Sequence, residues 1–447
     1  MDALPSVLIL EILNRVNDFT DLVRCRLSSK TLNSLSYNVR SLNLFCSYDR
    51  YLKSKAPGTK ASVTPFKKVI KQVLQNLRNI EYVAIGVEKP FRGLFDDDDG
   101  DDESDDLYLS DVNFVSEWLP EISGSLRSLS VSDFWAQSCW RQSEVLSRIS
   151  SCCHVLLELE LKNAWLSVKG LKPMPMLTSL TLEYVRLDDE DLDKVNQCFP
   201  SLETLSLIGV GGLKEPKIHL WQLRTCHWTL SNAPISLTIH APNLTSLKLN
   251  CVKPRSLVLE APLLSALYLC IEGTDKFGLA CLYHLKSLCI KTADICILGQ
   301  LFQYGRTVKT LVVDSPKWDE LVGVGGEVGF GALSSAFPNV CDLELGPRAW
   351  SSLEMSFCMR SLNDGSRMKD LKRLMIYLGL SEFRVTCSFI SSLLDHCTNL
   401  SDVALLIHRD VSFDVASRLK SRCMTDFPGF RWRWGIWKEE TKDIWIS

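Results

Sequence analysis

The chain has 447 residues and a mass of 50.5 kDa, with 46% hydrophobic and 23% charged residues, which allows a sizeable core and two or three domains and excludes overall disorder. The net charge of −3 argues against a general nucleic-acid binder, because those carry a basic excess. Leucine occupies 71 positions, an excess that points to one structural rule repeated many times.

The first residues read MDALPSVLILEILNRV. No basic leader precedes the apolar run and Glu11 interrupts it, so no secretory signal is expected. Residues 4–36 read as three short helices. Pro5 suits a first helical turn. Val7, Leu8, Ile9, Leu10, Ile12, Leu13 and Val16 wrap more of that helix than one core-facing stripe needs. Asp21 is expected to cap a second helix through Leu22, Val23, Cys25 and Leu27. Ser28 or Ser29 is expected to cap a third through Leu32 and Leu35. A helical unit this small is marginal alone, so a partner or the rest of the chain must cover its surplus apolar surface.

A pattern L-x-x-L-x-L, with Val, Ile or Cys allowed, follows. Copies begin at Leu126, Leu156, Leu177, Leu202, Leu223, Leu244, Leu264, Leu285, Val308, Val340, Leu371 and Leu400, and two wider-spaced ones at Val39 and Ile80. From Leu126 on the mean spacing is about 25 residues, the length of one solenoid repeat. Each L-x-L reads as a short strand with leucines facing in and the intervening residues facing out. One copy cannot bury its apolar edge alone, whereas stacked copies share a leucine core and a parallel sheet. Where copies lie about 21 residues apart there is no room for a full helix. There Leu237 to Ile239 and Leu257 to Leu259 read as return strands ended by Ala-Pro. Wider spacings hold helical patterns, in SEVLSRISSCCHVL, FGALSSAFPNV and CSFISSLLDHCTNL.

Between the Ile80 and Leu126 copies, Asp96 to Asp106 holds nine acids and no base, leaving the rest of the chain at +6. Residues 92–108 read as a solvated, disordered insertion. The sharper alternative is a lure for a basic partner or a cover for a basic face. The glycine run from Gly323 to Gly331 does not satisfy G-x-G-x-x-G, since the third position is Val328, and reads as an inter-repeat loop. Seven histidines lie far apart and no C-x-x-C occurs, so neither a metal site nor a cofactor is expected. The 17 cysteines sit in apolar segments, which predicts reduced, buried thiols and a cytoplasmic or nuclear chain. No apolar stretch is long enough to cross a membrane. Asn243-Leu-Thr and Asn399-Leu-Ser spell glycosylation sequons but fall within repeats of such a chain and are discounted. Trp432, Trp434, Trp437 and Trp445 end the sequence, and Trp432-x-Trp434 reads as a strand capping the last repeat.

The Leu4-Pro5 start, the Ile12-Leu13 pair, the run Asp21 to Arg26 and Lys30 together resemble an F-box. The tryptophan usual two residues after that lysine is Leu32 here, and the cysteine usual before it is Ser29. The repeats resemble irregular leucine-rich repeats, and the combination resembles the plant F-box/leucine-rich-repeat family. That resemblance implies an α/β fold. Residues 1–38 would be a three-helix F-box and residues 39–425 an irregular leucine-rich-repeat solenoid. Its parallel sheet would line the concave face, with mixed helices and short strands on the convex face. Residues 426–447 would be a tryptophan-rich cap.

The resemblance implies a non-catalytic substrate-recognition subunit of an SCF-type ubiquitin ligase. The F-box would dock on a Skp-type adaptor, and through it a cullin, by Leu4, Pro5, Leu8, Ile12, Leu13, Leu22, Arg26, Lys30 and Leu32. Strand geometry places the target on outward positions, among them Glu158, Glu160, Glu183, His227, Lys248, Tyr268, Lys291, Arg373 and Tyr377. That surface has an acidic start and a basic middle, which suits a folded protein or peptide degron and not a nucleic acid. No membrane partner is expected. An enzyme reading fails for want of a converging acid, base and nucleophile. The alternative is a leucine-rich-repeat scaffold or inhibitor whose degenerate F-box does not engage a ligase.

Overall fold

The computed structural model describes residues 4–16, 18–88, 105–134, 138, 140–230, 232–279, 282–292, 299, 301–314, 330–359, 368–379, 382–439 and 441–446. It divides into two compact units, Met1–Asn232 with Ile239–Ala241, and Ala233–Thr238 with Pro242–Ser447.

The first unit opens with helices α1 (Ser6–Asn14), α2 (Phe19–Ser28) and α3 (Lys30–Leu35), followed by a strand. Helix α2 begins earlier than expected. Its N-cap is Asp18, whose carboxylate accepts the Asp21 N–H at 3.1 Å, while Asp21 lies in the first turn, where its charge favours the positive end of the helix. Ser29, and not Ser28, caps α3 by accepting the N–H groups of Thr31 and Leu32.

All fourteen L-x-x-L-x-L copies are strands, and each strand starts two residues into its motif. In the first unit they are Ser41–Cys46, Tyr82–Val87, Ser128–Ser132, Glu158–Lys162, Ser179–Glu183, Thr204–Val210 and Thr225–Leu230. Each pairs parallel with the next, with motif positions aligned. In the second unit they are Ser246–Cys251, Ala266–Ile271, Ser287–Lys291, Thr310–Asp314, Asp342–Leu345, Arg373–Leu378 and Asp402–His408, again parallel and aligned. Burial alternates along them: Leu180, Leu182, Leu205 and Leu207 are fully buried while their neighbours face outward. Each buried leucine contributes about 1.5–3 kcal/mol.

A backbone rail precedes the strands. The carbonyl just before one strand accepts two successive N–H groups from the next repeat, as Arg127 does from Leu157 and Glu158, and Lys309 from Cys341 and Asp342. Side chains reinforce it in the second unit. The Asn339 Nδ2 donates to the Arg306 carbonyl and the Asn399 Nδ2 to the Lys369 carbonyl, each at 2.7 Å. Asn399 of the second sequon therefore sits in the turn before its strand, committed to a backbone acceptor.

The return segments follow the spacing. Strands Ser256–Glu260 and Lys276–Leu279 pair in parallel, Ser236–His240 and Lys217–His219 fill equivalent connections, and buried Ala241 and Ala261 close two of them. The expected helices form at Val145–Cys152, Phe330–Ala336 and Phe383–Asp395. Residues 92–104 and most of the glycine run, 323–329, lie outside the described residues.

The end of the acidic run departs from the expected solvated insertion. Residues 105–108 are placed, and Leu107 and Tyr108 are buried. The Asp106 carboxylate accepts the N–H groups of Phe66 at 2.6 Å and Lys67 at 2.9 Å, at the start of the helix Phe66–Leu74. A carboxylate on those free amides replaces hydration with a charge-assisted cap, which fastens the segment. Just beyond, the buried Asp133 carboxylate accepts the N–H groups of Leu109 at 2.5 Å and Ser110 at 2.8 Å and the Ser110 hydroxyl.

At the other end, Arg431–Trp437 is a fifteenth parallel strand, in register with Asp402–His408. Trp432 and Trp434 occupy the positions that leucines hold elsewhere. Ile444–Ile446 then turns back and pairs antiparallel with it.

Candidate functional site

Two kinds of surface can engage a partner: the helical module, and the open face of each sheet, opposite the helices and return strands.

In the helical module, Ile9, Leu13, Leu22 and Leu32 form the core. Leu4, Pro5, Leu8 and Ile12 are exposed, with Leu8 and Ile12 one turn apart on α1 and Leu4 just before its N-cap Pro5. Lys30 is exposed at the start of α3. Three expected docking residues are thus reassigned: Leu13, Leu22 and Leu32 hold the module together. Leu32 is 6% exposed, so its departure from tryptophan falls on packing. Arg26 is also turned inward. Its Nε donates to the Ser36 Oγ at 2.7 Å and its guanidinium lies 4.7 Å from the Tyr37 ring centre. Two further apolar residues are exposed, Val7 on α1 at 78% and Leu27 on α2 at 84%. Helical period holds the signal for Leu27, since five residues from buried Leu22 is about 140° around the helix.

The open face of the first unit carries Glu158, Glu160 and Glu183 in two adjacent strands and His227 two strands further on. Its acidity is partly offset within the chain. The Lys162 Nζ lies 2.7 Å from Glu160 and 2.9 Å from Glu183, and the Ser130 hydroxyl donates to Glu160 at 2.6 Å. Burial works against the Lys162 charge, and the two carboxylates outweigh it and raise its pKa. The His227 ring lies 3.4 Å from the Thr229 hydroxyl.

In the second unit, cross-strand partners alternate in charge along the first row. Arg373 forks onto Asp342, and the Arg431 Nε donates to Asp402 at 2.5 Å. The hydrogen bond from Arg431 is the main reason the Asp402 carboxyl drops to about 2. Arg373 is therefore spent on its neighbour. Tyr377 is also engaged: its hydroxyl donates to Asp443 Oδ2 at 2.9 Å and its ring meets Trp437 edge-on at 6.0 Å. His408 lies 3.2 Å from Glu439, so the segment after the last parallel strand folds back over this face. Lys248 and Lys291 instead flank Tyr268, at 5.6 and 5.9 Å from its ring centre.

Fourteen cysteines among the described residues are free. Burial pushes the Cys226 and Cys397 thiols up to about 12, far from a reactive thiolate. Among the described residues no group of three or more His, Cys, Asp or Glu could hold a metal ion. No described helix is long and apolar enough to cross a membrane.

Comparison with known proteins agrees with this geometry. A family model described as F-box domain matches residues 1–44, which reaches from the three helices into the first strand. An F-box/LRR-repeat protein of Arabidopsis thaliana is 46% identical over 450 residues, covering 100% of both chains. With an N-terminal helical module matched as an F-box, fourteen leucine-patterned parallel strands behind it and full-length similarity to such a relative, the chain belongs to the plant F-box/leucine-rich-repeat family.

Proposed function

We propose that the protein is the substrate-recognition subunit of an SCF-type ubiquitin ligase. The F-box docks on a Skp-type adaptor and through it a cullin, and the open sheet faces bind a protein target in the cytoplasm or nucleus. The observation that carries the reading is the set of exposed apolar residues Val7, Leu8 and Ile12, with Leu4 just before them, on a helix whose Ile9 and Leu13 already close the module core. An exposed apolar stripe on so small a unit is a docking surface in want of a partner. The protein forms no covalent bond in this role. It raises the effective concentration of target beside the conjugating enzyme.

The test is co-precipitation of the full chain with a Skp-type adaptor. Replacing Leu8 and Ile12 by Asp is expected to abolish capture and leave the melting temperature unchanged. Replacing buried Leu13 by Ala instead destabilises the module by about 2–5 kcal/mol. Failure of the unmodified chain to capture the adaptor, while a consensus F-box control succeeds, overturns the reading in favour of a repeat scaffold or inhibitor.

A further inference from the structure

We propose that the Lys248–Tyr268–Lys291 corner of the second unit's open face reads an acidic, extended segment of the protein target. This rests on the substrate-receptor reading above and names the target's chemistry. Three other cations of the open faces are already matched within the chain: Lys162 by Glu160 and Glu183, Arg373 by Asp342 and Arg431 by Asp402. Lys248 and Lys291 are different. Among the described residues neither has a carboxylate in ion-pair contact, and both lie beside the Tyr268 ring. The nearest acids, Asp314 and Glu344, add to the field at Lys291 without closing an ion pair on it. Asp314 is the register partner of Lys291, but its carboxylate accepts the N–H groups of Arg348 at 3.2 Å and Ala349 at 3.4 Å. Glu344 stands one strand beyond Val312, and burial raises its pKa.

The register fixes the shape of what fits. Lys248, Tyr268 and Cys289 align across three strands, and Lys291 lies two residues beyond Cys289. Two strand spacings and one two-residue step separate the two Cα positions by about 12 Å, and the ammoniums, 5.6 and 5.9 Å from one ring centre, lie closer together than that, within the reach of about three residues of extended chain. A segment with two carboxylates that far apart meets both ammoniums and lays its intervening residues on Tyr268 and the half-buried thiols of Cys270 and Cys289. Pairing with an unmatched ammonium adds attraction without breaking an existing ion pair, which favours acidic partners over neutral or basic ones.

The experiment is fluorescence anisotropy of the full chain with a labelled dodecapeptide alternating Asp and Phe, beside a Ser and Phe control. The acidic peptide is expected to bind about tenfold or more tighter than the control at low salt, and the Lys248→Glu, Lys291→Glu double variant to lose that preference. Lys248→Glu alone, at an exposed position, is expected to lose most of it and keeps the test open if the double variant does not fold. Equal binding of the two peptides by the unmodified chain, or an undiminished preference in a folded Lys248→Glu variant, overturns the proposal. Adaptor capture is read on the same preparations: intact capture without acidic preference sinks this inference alone, and lost capture falls on the proposed function.

Discussion

Replacing Asp133 by Asn should remove a pH dependence of stability from the first unit. Burial is the main influence on this carboxyl and pushes it from its ordinary 3.8 up to about 7, against the hydrogen bonds from Ser110 and Leu109 that favour the charge. Between those two values the folded chain holds a carboxylic acid where the unfolded chain holds a carboxylate. The folded state therefore binds the extra proton, and stability falls as pH rises. The contribution is fully present below 3.8 and lost above about 7. At about 1.4 kcal/mol per pH unit, the gap corresponds to at most about 4 kcal/mol. Asn keeps an oxygen for the N–H groups of Leu109 and Ser110 but cannot ionise. Urea unfolding, followed by hydrogen exchange of peptides spanning 105–134, should show the unmodified protein losing ground to Asp133→Asn between pH 5 and pH 8. Other titrating groups cancel in that difference. Parallel pH profiles for the two proteins, or a relative gain by the unmodified protein at pH 8, would refute the reasoning.

Two further perturbations test the repeat frame. Asn399→Ala removes the donor to the Lys369 carbonyl and should lower stability of the second unit by about 0.5–1.5 kcal/mol, read as a lower urea midpoint with an unchanged slope. A methyl group at Gly346 would collide with the Asp314 carboxylate. Gly346→Ala should thus displace Asp314 from the N–H groups of Arg348 and Ala349 and cost about 1–2 kcal/mol, seen in a thermal melt; an unchanged melt would show that the site relaxes freely.

The strands were readable because leucine does two jobs at once. At Leu177, Leu180 and Leu182 the residue type marks burial and the spacing marks the turn into the strand, so boundary, face and register follow from one pattern. Trp432 and Trp434 carry the same alternation with a different residue, and the strand expected to cap the last repeat is there, pairing parallel with it. The helical module was half readable. Its identity came from Leu4-Pro5 and the run after Asp21. Its burial needed the helical period, which separates Leu8 and Ile12 from Ile9 and Leu13. What spacing could not give was pairing across strands. Arg373 and Asp342 are 31 residues apart, and Tyr377 and Asp443 are 66 apart, so the charges that cancel on the open face are distant in sequence. The fastening of Asp106 to Phe66 and Lys67 escaped for the same reason, since composition marks an acidic run as solvated whatever its last residue grips.

The reversal at Ile444–Ile446 has a consequence for how such a chain can change length. A parallel stack accepts a duplicated repeat between any two neighbours, because each presents the same edge to the next. The last strand runs against the others, so a repeat stacked directly on it would have to pair antiparallel, with a hydrogen-bond pattern none of the other repeats uses. Duplication between two interior neighbours repeats the parallel register unchanged, whereas a copy placed beyond Ile444–Ile446 would have to be built on a reversed pairing.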